Sequence, residues 1–275
     1  MGLPENVWRP RAAVSLVMGS TRVGVSTTAA TLAIAAARQG REVMLVVTDR
    51  SPVVETLLGG KELDDREHLV FRNRGSVRVG RIPTSQVFSD HLKQGGLGGM
   101  FRRAISGSSL PMIESAVPGL RDLLTLTGVL DRAGKGDTDA VIVDCPSNGR
   151  SFEFLHSVED ASDVVQSPRL LESAVDVQSA FEDPERFEGV PVMVPEHDDV
   201  SLTAALIDRV RTLKALTVHD VVVNQASEGW SSGDEAALVA GLRAETDVRT
   251  LRLPRLAEGV TTVGDVHELA EQLEE

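Results

Sequence analysis

The apolar residues of this chain come in short continuous runs rich in Val, Leu and Ile, without strict alternation. Seven such runs, at 13–18, 42–47, 76–82, 140–144, 190–194, 219–224 and 248–253, read as strands. Continuous runs suit strands covered on both faces, and so a parallel sheet. Stretches with helical spacing lie at 26–39, 51–58, 118–133, 168–181, 199–215, 233–244 and 264–274. Strand and helix in alternation imply right-handed crossovers. The predicted fold is therefore α/β: a doubly wound, mostly parallel sheet of about 7–8 strands with helices on both faces. One domain is expected over 1–275, with short helical or loop insertions at 85–118 and 151–190. Within the first insertion, "KQGGLGGMFRRAISGSSLP" (93–111) reads as a surface loop rather than a binding loop.

Composition narrows the function classes. A chain of 275 residues can bury a sizeable core without a covalent staple. Its one cysteine, Cys145, excludes an internal disulfide and any CxxC zinc site, and reads as a core thiol. The net charge of −13, from 28 basic and 41 acidic residues, argues against nucleic acid as a partner. No apolar run approaches the ~20 residues of a transmembrane helix. The opening "MGLPENVWRPR" lacks a signal-peptide core, and Asn6 stands where a myristoylation signal has Ser or Thr. The expected location is the cytoplasm.

The candidate chemistry starts at "LVMGSTRVGVSTTAATLAIAAARQG" (16–40), a strand, a glycine turn and an alanine-rich helix. Gly19 and Gly24 bracket the turn, and Ser26 and Thr27 open the helix. Backbone N–H groups at such a helix start face an anion. A hydroxyl at position 26 is where a P-loop would hold Mg²⁺. A dinucleotide reading competes: Gly19, Thr21 and Gly24 occupy the slots of G-x-G-x-x-G, with Asp49 ending the next strand. Thr21 damages that reading, because the middle glycine lets the backbone touch the pyrophosphate. A second motif, "DAVIVDCPSNGRSFEFL" (139–155), favours the P-loop. Asp144 at the strand tip can fix Mg²⁺ or its water, and Gly149 suits a backbone that approaches a γ-phosphate.

With both motifs in view, the chain resembles the ArsA and GET-pathway ATPases, of the deviant Walker A class that includes MinD and ParA. The family motif G-K-G-G-V-G-K-T-T stands here as "GSTRVGVST", Gly19 to Thr27, and D-x-x-P-T-G as "DCPSNG", Asp144 to Gly149. The family strand ending in an aspartate followed by proline matches "VVTDRSP", which carries Asp49. The resemblance implies an adenine contact at Asn224, and a final strand and adenine-side loop from Pro254 onward. "VPGLRDLLTLTGVLD" (117–131) is similar to actinobacterial paralogues of the family.

The departures cluster on phosphate chemistry. Val25 replaces the lysine that reaches the β- and γ-phosphates, and Ser20 the signature lysine that reaches across the dimer. Thr21 and Arg22 replace loop glycines, and Thr56 stands at the water-orienting aspartate, beside Glu55. No catalytic residue is therefore assigned. Two lost charge-assisted contacts cost roughly 3–6 kcal/mol if they add, or ~10²–10⁴ in affinity. The expectation is a non-hydrolysing structural or regulatory subunit that requires no cofactor and binds ATP or ADP with Mg²⁺ weakly at most. Gly19, Arg22, Gly24, Ser26, Thr27, Asp49, Asp144, Gly149, Asn224 and Pro254 would hold the nucleotide, and Ser26 and Asp144 the Mg²⁺. Family members pair face to face through the P-loop edge. The expected partner is thus an ArsA-like paralogue in a heterodimer, or a second copy through the same face. The alternatives are a weak ATPase using Arg22 in place of lysine and a dinucleotide-binding oxidoreductase.

Overall fold

A computed structural model of the protein describes residues 6–94, 117–146, 150–164, 168–227 and 234–274. Most of the 85–118 insertion, including the glycine cluster, lies outside the described residues. The strands are β1 (Val14–Gly19), β2 (Glu42–Val47), β3 (His68–Arg72), β4 (Ser76–Gly80), β5 (Ala140–Asp144), β6 (Phe187–Met193), β7 (Thr217–Val218), β8 (Asp220–Ala226) and β9 (Arg249–Pro254). The helices are α1 (Val25–Arg38), α2 (Pro52–Leu57), α3 (Thr84–Gln94), α4 (Leu120–Ala133), α5 (Ser151–Val164), α6 (Pro168–Phe181), α7 (His197–Lys214), α8 (Asp234–Thr246) and α9 (Val263–Glu271).

The described strands form one sheet in the order β3-β4-β2-β5-β1-β6-β8-β9, with β7 paired to β6. Every pairing is parallel except that of the edge strand β3 with β4. The predicted mostly parallel α/β sheet is thus observed, with nine strands among the described residues rather than 7–8. The extra two are β3, whose "HLVFR" is only partly buried, and the two-residue β7. β6 begins at Phe187, earlier than its apolar run suggests, because Glu188 is buried inside it. That carboxylate accepts the Ser15 hydroxyl at 2.7 Å and the Arg11 N–H at 3.1 Å. Burial nevertheless pushes its pKa up.

Helices cover both faces. One layer is α1, α2 and α9, where Ala29, Ala33, Leu32, Val54, Val266 and Leu269 join a single core cluster. Six alanines of α1 (29, 30, 33, 35, 36 and 37) are fully buried, so the helix lies close on the sheet. The other layer uses α4 to α8, with Leu123, Phe154, Val177, Ile207 and Val239 in a second cluster. The 151–190 segment supplies two of these helices, α5 and α6. A further packing residue is Trp8, which is fully buried. Its backbone N–H donates to the Leu273 carbonyl at 3.0 Å, tying the first described residues to the turn just past the last helix.

The charges of α7 do more than complement its dipole. Asp199 accepts the Val194 N–H at 2.8 Å. Arg211 donates to the carbonyls of Thr246 and Val218. Lys214, 1 % exposed, pairs with Glu159 of α5 and lies 3.1 Å from His156 Nδ1.

Candidate nucleotide site

The parallel topology gathers the ends of β1, β5, β6, β8 and β9 at one edge of the sheet. Ligands of open α/β sheets bind outside these carboxyl ends. β5 lies between β1 and β2. In a dinucleotide fold the strand bearing the ribose-binding acid neighbours the first strand, so the Asp49 assignment of that alternative does not fit this sheet.

The turn between β1 and α1 has a defined shape. Gly24 caps α1 with φ 88°, a left-handed conformation suited to glycine. A Cβ there would stand 2.2 Å from Asn224 Nδ2. Arg22 is also left-handed, with φ 69°. It keeps the conformation glycine would adopt, at a cost of about 1 kcal/mol. Its side chain is exposed and makes no ion pair with another described residue.

The predicted Mg²⁺ pair is brought together. Ser26, in the first turn of α1, donates its hydroxyl to Asp144 Oδ1 at 3.0 Å. Asp144 is 4 % exposed. Burial pushes its pKa up to about 7, the Ser26 hydrogen bond opposes this, and the nearby charge of Asp49 adds to it. Asp49 itself is exposed just beyond β2. Cys145 beside it is buried, and burial raises its thiol well above the ordinary range, as suits a core thiol. Gly149 lies outside the described residues.

The substituted positions have partners of their own. Val25 is 4 % exposed and Val23 2 %, both within the core cluster around α1. A Cβ built on Gly19 would stand 2.8 Å from a methyl of Val23, 3.2 Å from one of Val25 and 2.6 Å from the Val192 carbonyl oxygen. The Ser20 hydroxyl donates to Asp199, anchoring the turn to the start of α7. Thr56 donates to the Pro52 carbonyl at 3.0 Å, within its own helix. Glu55 pairs with Arg50 at 2.7 Å.

Asn224, at the end of β8, is 5 % exposed and donates Nδ2 to the Val23 carbonyl at 2.8 Å. It therefore braces the phosphate loop. Beside it opens a cavity of about 370 Å³. Gly24, Thr27, Asn224 and Pro254, all predicted site residues, line it together with Gln225 and Val260. Three contributors carried no sequence signal. Asp199 holds Ser20. Gln225 turns left-handed at φ 57°. Ser151 ties the Gly19 N–H (3.3 Å) to the Pro146 carbonyl (2.9 Å).

Comparison with known proteins identifies the family. The chain is 27 % identical over 264 residues to ATPase BagA of Mycobacterium tuberculosis, an alignment covering 89 % of this chain and 74 % of that protein. The Mycobacterium bovis protein Mb3704 matches to the same extent. The model of the anion-transporting ATPase family, ArsA, matches residues 13–168, more than half of the chain and both of its motif loops. The chain belongs to the anion-transporting ATPase family.

Proposed function

We propose that this chain is a non-hydrolysing member of its family, acting as a structural or regulatory subunit of an ATPase-active relative. The family implies ATP with Mg²⁺, and the phosphate end of this site is built against that ligand. The observation that carries the reading is the burial of Val25, which stands at the family's lysine position, within the core at the end of β1. A valine offers no donor to a phosphate oxygen, and here its methyl groups belong to the core. Ser26 and Asp144 are the right types for Mg²⁺ and lie within hydrogen-bond distance of each other. Hydrolysis depends on donors aimed at growing charge on the γ-phosphate, and neither lysine is present to supply them.

The face a family partner would meet carries Ser20 to Arg22, residues 50–58 and the segment after Asp144. Arg22 is its available cation, exposed and without an ion pair to a described residue. In this reading the partner is a paralogue with an intact P-loop lysine, and Arg22 approaches its nucleotide. An arginine so placed acts mainly on the transition state. A homodimer through the same face is the second arrangement.

The test is co-purification with such a paralogue, then phosphate release with and without this chain. The expected result is a partner rate that rises with this chain, and falls with Arg22→Ala more than assembly does. The chain alone should bind ATP·Mg²⁺ no tighter than high micromolar and release no phosphate. A stable monomer that changes no paralogue's rate would refute the proposal. So would steady turnover by the chain alone that Asp144→Ala abolishes.

A further inference from the structure

We propose that strand β3, at the open edge of the sheet, is a docking site for an extended acidic segment of another protein, which adds to the sheet as a further strand. The site lies apart from the phosphate loop and uses none of its residues.

The two edges of the sheet are finished differently. At β9 the Asn6 side chain accepts the Arg252 N–H at 2.7 Å and donates to the Arg252 carbonyl at 3.2 Å. One amide thus occupies both backbone groups that a neighbouring strand would use. β3 has no such cap. It pairs with β4 alone, and no backbone group of residues 68–72 is bonded to a described residue outside β4. An edge strand turns the N–H and C=O of every second residue outward, ready for another chain. Leu69, 52 % exposed, adds apolar surface on this strand.

The open edge is held firmly from behind. Phe71 is buried, with its ring edge-on to His267 of α9 at 5.2 Å between centroids. The turn between β3 and β4 is fastened to the end of α1. There the Gly75 N–H donates to the Ala37 carbonyl at 2.9 Å and the Ser76 N–H to the Arg41 carbonyl at 3.2 Å. A strand fixed in this way loses little freedom when a partner is added.

Charge names the occupant. The chain carries −13 overall, yet residues 66–81 hold five arginines and one acid, Glu67. Glu67 is already shared by Arg78 and Arg132. Arg72 and Arg74, at the tip of the hairpin, are exposed and make no ion pair with a described residue. In strand addition the main chain supplies affinity and the side chains choose the partner. The arginines therefore choose an acidic strand. Edge charges, with a bulge like the register shift between Leu69 and Phe71, also keep edges from pairing with their own kind. Here that protection acts against a second copy, which would lay arginine on arginine. It leaves an acidic strand free to bind. The overall negative charge disfavours nucleic acid as the occupant.

Fluorescence anisotropy on the full chain tests the proposal, with a labelled peptide of about ten residues that alternates Glu and Val. One control peptide replaces alternate valines with Pro, keeping the charge and removing donors from the ladder. A second replaces every Glu with Lys. The Glu-Val peptide should saturate with a Kd below about 1 mM, and both controls should bind at least about tenfold more weakly. Arg72→Glu combined with Arg74→Glu should weaken the Glu-Val peptide at least about tenfold, with the urea midpoint reporting that the fold is kept. Hydrogen exchange at amides within 68–72 should slow when the peptide binds. A proline peptide that binds as well as its parent would overturn the proposal, since charge alone would then suffice. So would the absence of saturation by about 1 mM, or a double variant that binds like the wild type. A short oligothymidylate that binds more tightly than the Glu-Val peptide would assign the hairpin to nucleic acid and equally overturn it.

Discussion

Asp144→Asn tests the phosphate end of the site through stability alone. The carboxyl is 4 % exposed and, among the described residues, accepts one side-chain hydrogen bond, from Ser26 at 3.0 Å. Burial, with help from Asp49, raises its pKa from 3.8 to about 7. Each pH unit of separation between folded and unfolded values corresponds to about 1.4 kcal/mol, so the full shift is worth at most about 4 kcal/mol. The sign follows from which state ionises first. Below pH ~4 both states are protonated and the folded protein has its full stability. As pH rises the unfolded chain ionises first, and stability falls until the folded carboxyl ionises near pH 7.

The asparagine variant cannot ionise and still presents an oxygen to Ser26. Its stability advantage over the wild type should therefore grow from near zero at pH ~4 to about 3–4 kcal/mol at pH ~8. Urea denaturation across that range, taken as a difference between the two proteins, isolates this residue. Glu188, also raised by burial, titrates in both and cancels. A flat difference would refute the reasoning, since Asp144 would then be ionised in the folded protein at neutral pH. A magnesium series adds an independent test. If about 10 mM Mg²⁺ stabilises the wild type at pH ~8 and leaves the variant unchanged, Ser26 and Asp144 hold metal and the non-hydrolysing reading loses its support.

Further outcomes follow from the same geometry. Val25→Lys forces an ammonium into a position 4 % exposed and should cost about 2–4 kcal/mol in urea denaturation. Combined with Ser20→Lys it should add some ATP binding without hydrolysis, and robust phosphate release by that double variant would show the loop geometry to be intact. Arg22→Gly relieves a left-handed arginine and should stabilise by up to about 1 kcal/mol, part of which is lost to glycine's unfolded-state freedom. A lower melting temperature would mean that the guanidinium makes a stabilising contact. Lys214→Ala should destabilise by about 2–4 kcal/mol, because Lys214 is fully buried against Glu159, and Lys214→Met should recover part of that loss. Equal losses would assign the effect to the ion pair rather than to the filled volume.

The fold was legible where one periodicity dominated. Predicted strands 42–47 and 140–144 and predicted helix 168–181 coincide with β2, β5 and α6 because apolar runs bounded by polar turns leave little choice of register. Legibility failed where a buried polar group interrupted the pattern. Glu188 hid the first residues of β6, since its partners Ser15 and Arg11 lie more than 170 positions away. β3 escaped because an edge strand with exposed Leu69 follows no clean alternation. The place of Trp8 in the core depends on contact with the far end of the chain, which no local window contains.

The site was legible in its residue types more than in its bonds. Sequence identified that Val25 and Ser20 stand in place of lysines, that Ser26 and Asp144 could meet, and that Asn224 and Pro254 lie on the base side. The new partners are tertiary: Ser20 with Asp199, Asn224 with Val23, Val25 with the helix α1 core. These contacts have a consequence for mechanism. A phosphate loop that works as a switch needs bonds that form with the γ-phosphate and break after it leaves. Here the turn is fastened by protein groups that need no ligand: Asp199 through Ser20, Asn224 through the Val23 carbonyl, and Ser151 through Gly19. A ligand shifts an equilibrium only by its differential affinity for two states. With the loop held by internal bonds and no lysine to reward a second conformation, nucleotide has little to act on. In this reading the chain presents one fixed face to its partner, and the control of timing lies with the partner's nucleotide.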